Sequence, residues 1–140
     1  MKTHKLISLL ALALVFGLAA CSGAAPSADL NGTSWALVEI SGHPVVAGSS
    51  PTLSFDGGQA GGNSSCNSFS ASYEASQDGK LTFGPPMSTL MACLDSGGVM
   101  DQETAYLATP QSAAAYQMED GRLLIIDANG VVVLAFEPQE

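Results

Sequence analysis

Residues 116–136 read Tyr116-Gln-Met-Glu-Asp-Gly-Arg-Leu-Leu-Ile-Ile-Asp-Ala-Asn-Gly-Val-Val-Val-Leu-Ala-Phe136. Two turn dipeptides divide the stretch, Asp120-Gly121 and Asn129-Gly130. Asn-Gly and Asp-Gly tolerate the positive φ of two-residue hairpin turns, and between apolar runs they are the strongest short-range hairpin signal. The stretch therefore reads as three antiparallel strands in a meander, over residues 116–119, 122–127 and 131–136. Residues 123–126 and 131–134 are apolar at both parities, so one face meets a core and the other needs cover from a helix or a further layer.

Upstream, the same punctuation recurs. Residues 35–40 form a strand with Trp35, Leu37 and Glu39 on one parity, and Gly42-His43-Pro44 turns it. Leu53 and Phe55 start a second strand, and Asp56-Gly57-Gly58 is its hairpin turn. Residues 59–67 are rich in Gly, Ser and Asn, as in a strand with a bulge or a close backbone approach. Phe69, Ala71 and Tyr73 alternate with serines, so a half-buried strand follows. Asp78-Gly79 then leads into Leu81 and Phe83, and Pro85-Pro86 ends that strand. One segment has helical periodicity, about 98–108, with Val99, Met100, Glu103, Tyr106 and Leu107 at i, i+3, i+4, i+7 spacing. Thr109-Pro110 ends it or caps a second short turn. The fold expected from these signals is mainly β with one helix (α+β), an antiparallel β-meander.

The first twenty residues are of a different kind. Lys2 and Lys5 precede a 15-residue apolar run, too short for a membrane span of about 20 residues, so residues 1–20 read as a secretory signal peptide. Leu18-Ala19-Ala20-Cys21 resembles a bacterial lipobox, which implies lipidation of Cys21 and membrane attachment through it. The small, polar residues 21–29 are the tether, and residues 30–138 form one domain. If the host has two membranes, Ser22 after the Cys favours the outer membrane, on its periplasmic face. The whole chain has 4 Lys+Arg against 13 Asp+Glu. Beyond the signal only Lys80 and Arg122 remain as bases, while all the acids do. Two bases cannot neutralise a run of phosphates, so nucleic acid is not a partner.

Of the three cysteines, Cys66 and Cys93 remain after Cys21. In an exported chain an even pair suggests a disulfide, which would close a loop of about 28 residues with a stabilisation of about 3.6 kcal/mol in the chain-entropy model. The alternatives are two inert thiols, or a reactive Cys served by His43, although no Lys or Arg lies near either Cys in sequence.

Four ordered elements carry a family resemblance: residues 30–35 ending in Trp35; Gly61-Gly-Asn-Ser-Ser-Cys66-Asn67-Ser-Phe69; Ser88-Thr89-Leu-Met91-Ala92-Cys93; and Met100-Asp-Gln-Glu103-Thr-Ala-Tyr106-Leu107. Together they resemble the META/HslJ family of bacterial envelope lipoproteins across about residues 30–136. Pro110 and the serines before Cys66 depart from its pattern. The resemblance implies a compact barrel-like sheet with one helix, and a link to envelope or heat-shock stress and antibiotic tolerance; it implies no established chemistry.

Catalytic and metal motifs are missing from the pattern. There is no Gly-x-Ser-x-Gly elbow for a triad and no Asp-x-Asp-x-Asp run for calcium, and nothing implies a cofactor. His43 reads as an exposed turn residue. Asp56, Asp78, Asp120 and Asp127 sit at turns, and Asp95, Asp101 and Glu103 read as first-turn charge on the helix. Asn67, Thr89 and Glu103 either satisfy backbone groups around Cys66 and Cys93 or line a recognition surface, and Trp35 and Met91 complete the motif set. The function expected is a lipid-anchored, non-enzymatic envelope module that binds or stabilises another envelope protein. An envelope enzyme of hydrolase type, or an inhibitor or holdase, is the alternative.

Overall fold

The computed structural model describes residues 28–94 and 97–139. The signal, Cys21 and residues 22–27 of the tether lie outside the described residues, as does Asp95. Ten strands follow in order: β1 (Thr33–Ile40), β2 (His43–Pro44), β3 (Thr52–Asp56), β4 (Gln59–Asn63), β5 (Ser68–Ala75), β6 (Leu81–Phe83), β7 (Met87–Ser88), β8 (Ala113–Glu119), β9 (Arg122–Asp127) and β10 (Val132–Pro138). Helix α1 (Val99–Ala108) lies between β7 and β8 and runs into a 3-10 turn at Thr109–Ser112.

All pairings are antiparallel, in the order β6-β5-β4-β3-β1-β10-β9-β8, with β2 added to β1 and β7 to β5. The two ends of this path meet: Lys80 bridges Ala115, and the Tyr116 N–H donates to Gly79 O at 2.8 Å. The sheet is thus a nearly closed barrel, and closure removes most of the unpaired edge that an open sheet would expose.

The expected meander is present as β8-β9-β10, with Gly121 and Gly130 at φ 80° and 81° in its turns. Leu123, Ile125, Leu134 and Phe136 face the core, where each is fully buried. Leu124 and Ala135 face the other way in one cross-strand row with Glu39 and Gln117, whose longer side chains flank them. Cover for this second face therefore comes from the sheet's own neighbours; α1 turns its Tyr106 to the inner face instead.

Two local expectations need correction. The strict alternation read for residues 35–40 breaks between Leu37 and Glu39, where a bulge shifts the register against β10 and brings Ile40 to the core instead of Glu39's parity. The turn read at Gly42-His43-Pro44 sits one residue earlier, on Ser41 and Gly42 (φ 49° and 77°), and His43-Pro44 pairs back onto β1 as β2. The Gly-rich segment does mark a close backbone approach. A Cβ on Gly62 would lie 2.2 Å from Thr52 O, and one on Gly61 would lie 2.8 Å from Phe69 O.

Leu30, Trp35, Leu53, Phe55, Leu81 and Tyr116 also belong to the core. Each large apolar side chain so buried contributes about 1.5–3 kcal/mol. Edge-on aromatic pairs order it: Phe55 with Tyr73 (centroids 4.8 Å apart) and Phe69 with Tyr106 (5.5 Å). The void left between sheet and helix, lined by Leu53, Phe69, Tyr106 and Leu107, is about 10 Å³, about the threshold for one water. The barrel is filled.

Candidate functional site

Helix α1 buries Gln102, Glu103 and Tyr106. Its apolar stripe is thin, so the helix is held by polar bonds at its first turns and by one aromatic ring at its last. Tyr106 sits between Phe69 and Phe136 and donates its hydroxyl to Thr52 O at 3.0 Å. Burial holds its hydroxyl protonated far above the ordinary range. That carbonyl is available because Gly62 lets β4 close on Thr52 without a side chain between them.

Glu103 is 5 % exposed and reaches the turn between β4 and β5. One of its oxygens, Oε2, accepts from the Ser64 hydroxyl (2.8 Å), the Cys66 N–H (3.0 Å) and the Asn67 N–H (2.8 Å). The other, Oε1, accepts from Asn67 Nδ2 at 2.5 Å. Ser65 takes a φ of 113°, rare for a side-chain-bearing residue, and the N–H groups of Cys66 and Asn67 that follow both turn inward to the carboxylate. Burial pushes the Glu103 carboxyl up. The donors from Asn67, Ser64 and the Asn67 and Cys66 backbone outweigh it and hold the group below its ordinary 4.5.

Asn67 is 2 % exposed and is the hub between this carboxylate and the segment after β7. Its Nδ2 also donates to Met91 O (3.0 Å); its Oδ1 accepts from the Thr89 hydroxyl (2.8 Å) and the Met91 N–H (2.7 Å). All four amide valences are therefore used. Cys66 and Cys93 are disulfide-bonded, with Cα atoms 5.8 Å apart, which closes the same segment at its far end. The pair is thus neither two free thiols nor a nucleophile beside His43. His43 is exposed and, with Asp101, lines a shallow groove of about 380 Å³ between β2 and α1.

The structure therefore gathers Asn67, Thr89, Met91, Glu103 and the disulfide into one cluster and leaves Trp35 out. Trp35 is a core residue whose indole N–H donates to Thr33 Oγ1 at 2.8 Å. Glu103 is not first-turn dipole charge: its carboxylate is consumed by the β4–β5 turn. Met91 takes part through its backbone, while its side chain points to solvent. Ser64 and Gln102 are the members that sequence reasoning missed. Gln102 accepts from the Val46 N–H (2.5 Å) and donates to Ser49 Oγ and Ser65 Oγ (2.9 Å each), tying the segment after β2 to the same turn. The available signal was position: Gln102 and Glu103 fall on the arc that Tyr106 continues, one turn on.

What this cluster displays is apolar. Met87, Leu90, Met91 and Leu94 are 74, 97, 60 and 91 % exposed, on a segment fastened by Asn67, by the disulfide and by the Thr89 N–H to Ser68 O bond (3.0 Å). Four large apolar side chains are thus exposed within eight residues. Among the described residues, no three His, Cys, Asp or Glu side chains are placed to hold a metal ion.

Comparison with known proteins agrees with this architecture. An NMR structure of a protein from Burkholderia xenovorans is similar at 31 % identity and a TM-score of 0.60, over 79 % of this chain and 83 % of that one. A second NMR structure shares the fold at 22 % identity and a TM-score of 0.61, over 78 % of this chain and 91 % of that one. No curated protein matches. The META domain model matches residues 28–140, and the chain belongs to the META domain family.

Proposed function

We propose that this META-domain protein is a lipid-anchored, non-enzymatic module of the cell envelope that binds another envelope protein through residues 87–94, in the setting of envelope or heat-shock stress. The observation that carries the reading is the contrast within the cluster. Ser64, Asn67 and Glu103 are buried and spent on one another, whereas the segment they hold turns four apolar side chains to solvent. A surface ordered in advance loses less entropy on binding. Within the cluster, Ser64 is 0 % exposed and Cys66 is oxidised, so neither is presented as a nucleophile.

The anchor is compatible with this surface. The described chain begins beside the β3–β4 turn, where Gly57 N–H donates to Asn31 Oδ1 at 2.8 Å and Gly32 N–H to Phe55 O at 2.7 Å. The exposed segment packs at the other end of β4, about 15 Å away at the rise of a five-residue strand. A tether leading from Cys21 would thus present it away from the bilayer.

Two experiments test the reading. Cys21→Ser should move the protein out of the membrane fraction or leave its signal uncleaved; an unchanged distribution would remove the anchor. Pull-down of the acylated protein from crosslinked membranes should return a partner that is lost in Leu90→Ser/Leu94→Ser. A partner retained by that variant, or none above background, would remove the binding role. The exposed segment also suits a holdase, which would suppress aggregation of an unrelated denatured client; suppression that depends on Leu90 and Leu94 favours that alternative.

A further inference from the structure

The exposed segment does not stand in a neutral setting. No Lys or Arg occurs between Lys80 and Arg122, and Asp95 and Asp101 are the next acids in sequence after the segment. Asp101 lies in the first turn of α1, and the described residues elsewhere carry Asp29, Glu39, Asp56, Glu74, Asp78, Glu119, Asp120, Asp127 and Glu137 against two bases. The apolar part is made of Met and Leu only. These are unbranched or γ-branched side chains that reshape around a partner, as adaptable binding surfaces require. Flexible Met and Leu side chains on a domain with so large an excess of acids are complementary to one chemistry in particular: an apolar face flanked by Lys or Arg.

We propose that residues 87–94 dock a basic amphipathic polypeptide segment, with Leu90, Met91 and Leu94 against its apolar face and the domain's net negative charge attracting its cations. This rests on the binding-module reading and specifies its partner class. An anionic bilayer is the wrong partner on the same charge argument, since the domain is repelled by it. A second copy of the chain is disfavoured likewise, because it would bring two acidic surfaces together.

The test uses the full mature chain with Cys21→Ser, so that no acyl chain competes for the probe. The probe is a 14-residue amphipathic helix of Leu and Lys, and its control is the same peptide with every Lys replaced by Glu. Calorimetric titration at low salt should show binding of the Lys peptide, at least tenfold weaker binding in 0.5 M NaCl, and at least a tenfold loss in Leu90→Ser/Leu94→Ser. The Glu peptide should not bind. Equal binding of both peptides, binding indifferent to the double substitution, or no binding at all overturns the inference. So does cosedimentation of the same chain with phosphatidylglycerol vesicles that depends on Leu90 and Leu94. The two readings fail separately: a partner crosslinked through Leu90 that is acidic or neutral leaves the binding module standing and removes only the basic segment.

Discussion

Replacing Glu103 with Gln is the sharpest perturbation of the cluster, because it keeps shape and removes only charge and one acceptor. Oε2 accepts three donors and Oε1 accepts Asn67 Nδ2 at 2.5 Å. A Gln oxygen in the place of Oε2 puts its NH₂ against Asn67 Nδ2, donor to donor; the reverse orientation puts that NH₂ against Ser64, Cys66 and Asn67. Asn67 cannot turn over to compensate, since Met91 and Thr89 hold both ends of its amide. One buried donor is then left unmade, at about 1–3 kcal/mol, and the remaining bonds lose their charge assistance, worth about 1 kcal/mol each. Relief of carboxylate burial offsets part of this, so Glu103→Gln should destabilise the oxidised protein by about 2–4 kcal/mol. At about 4 °C per kcal/mol for a domain of this size, the melting point should fall by roughly 8–16 °C. The carboxyl of Glu103 is held below 4.5 in the folded state. Its contribution is therefore complete above that pH and is lost as pH falls through the folded value. Asp127 and Asp78 are also held low, Asp127 first by the Val131 N–H and Asp78 first by the Ser76 hydroxyl, but they titrate alike in both proteins. Urea titrations across this range should show wild type losing more stability below pH 4.5 than Glu103→Gln. A variant within 0.5 kcal/mol of wild type, or one with the same acid slope, would refute the reasoning.

The other predictions concern the elements around that carboxylate. Cys66→Ser/Cys93→Ser should cost about 3–4 kcal/mol in guanidinium unfolding, the chain-entropy value for the loop the disulfide closes; a loss under 1 kcal/mol contradicts it. Gly62→Ala should cost more than about 2 kcal/mol, because the new methyl overlaps the Thr52 carbonyl that Tyr106 also uses; thermal melting reads this, and an unchanged midpoint counts against the close approach. Tyr106→Phe should cost about 1 kcal/mol, the worth of its one bond to Thr52 O. Leu90→Ser/Leu94→Ser should leave stability within about 0.5 kcal/mol, since both side chains already face solvent; a larger loss would mean that they pack.

The fold was legible where a short-range rule decides the backbone. Asn129-Gly130 and Asp120-Gly121 state their turns locally, and Gly61-Gly62 announce a contact that only glycine permits. Barrel closure was not legible, because the bridge from Lys80 to Ala115 joins residues with no pattern of their own. The bulge at Val38 was hidden for a different reason: Ala36, Val38 and Ile40 form an unbroken apolar parity of their own, so the change at Glu39 does not announce an extra residue. In the cluster, Asn67, Thr89, Met91 and Glu103 could be named from the order of motifs, and the pairing of Cys66 with Cys93 from export and parity. The role of Glu103 could not, because an acid near a helix start is explained equally by the helix dipole. Nor could the exposure of Leu90 and Leu94, since sequence pattern assigns apolar residues to the interior and only the finished barrel shows that there is no interior left for them.

The central claim is that this clamp exists to present residues 87–94 to a partner, and a photocrosslinking amino acid placed at Leu90 of the otherwise native protein in living cells tests it most directly. Irradiation should give one discrete adduct that is absent when the same crosslinker stands at Val131, an exposed apolar residue in the turn before β10. No adduct at position 90, or the same adducts from both positions, would contradict the account.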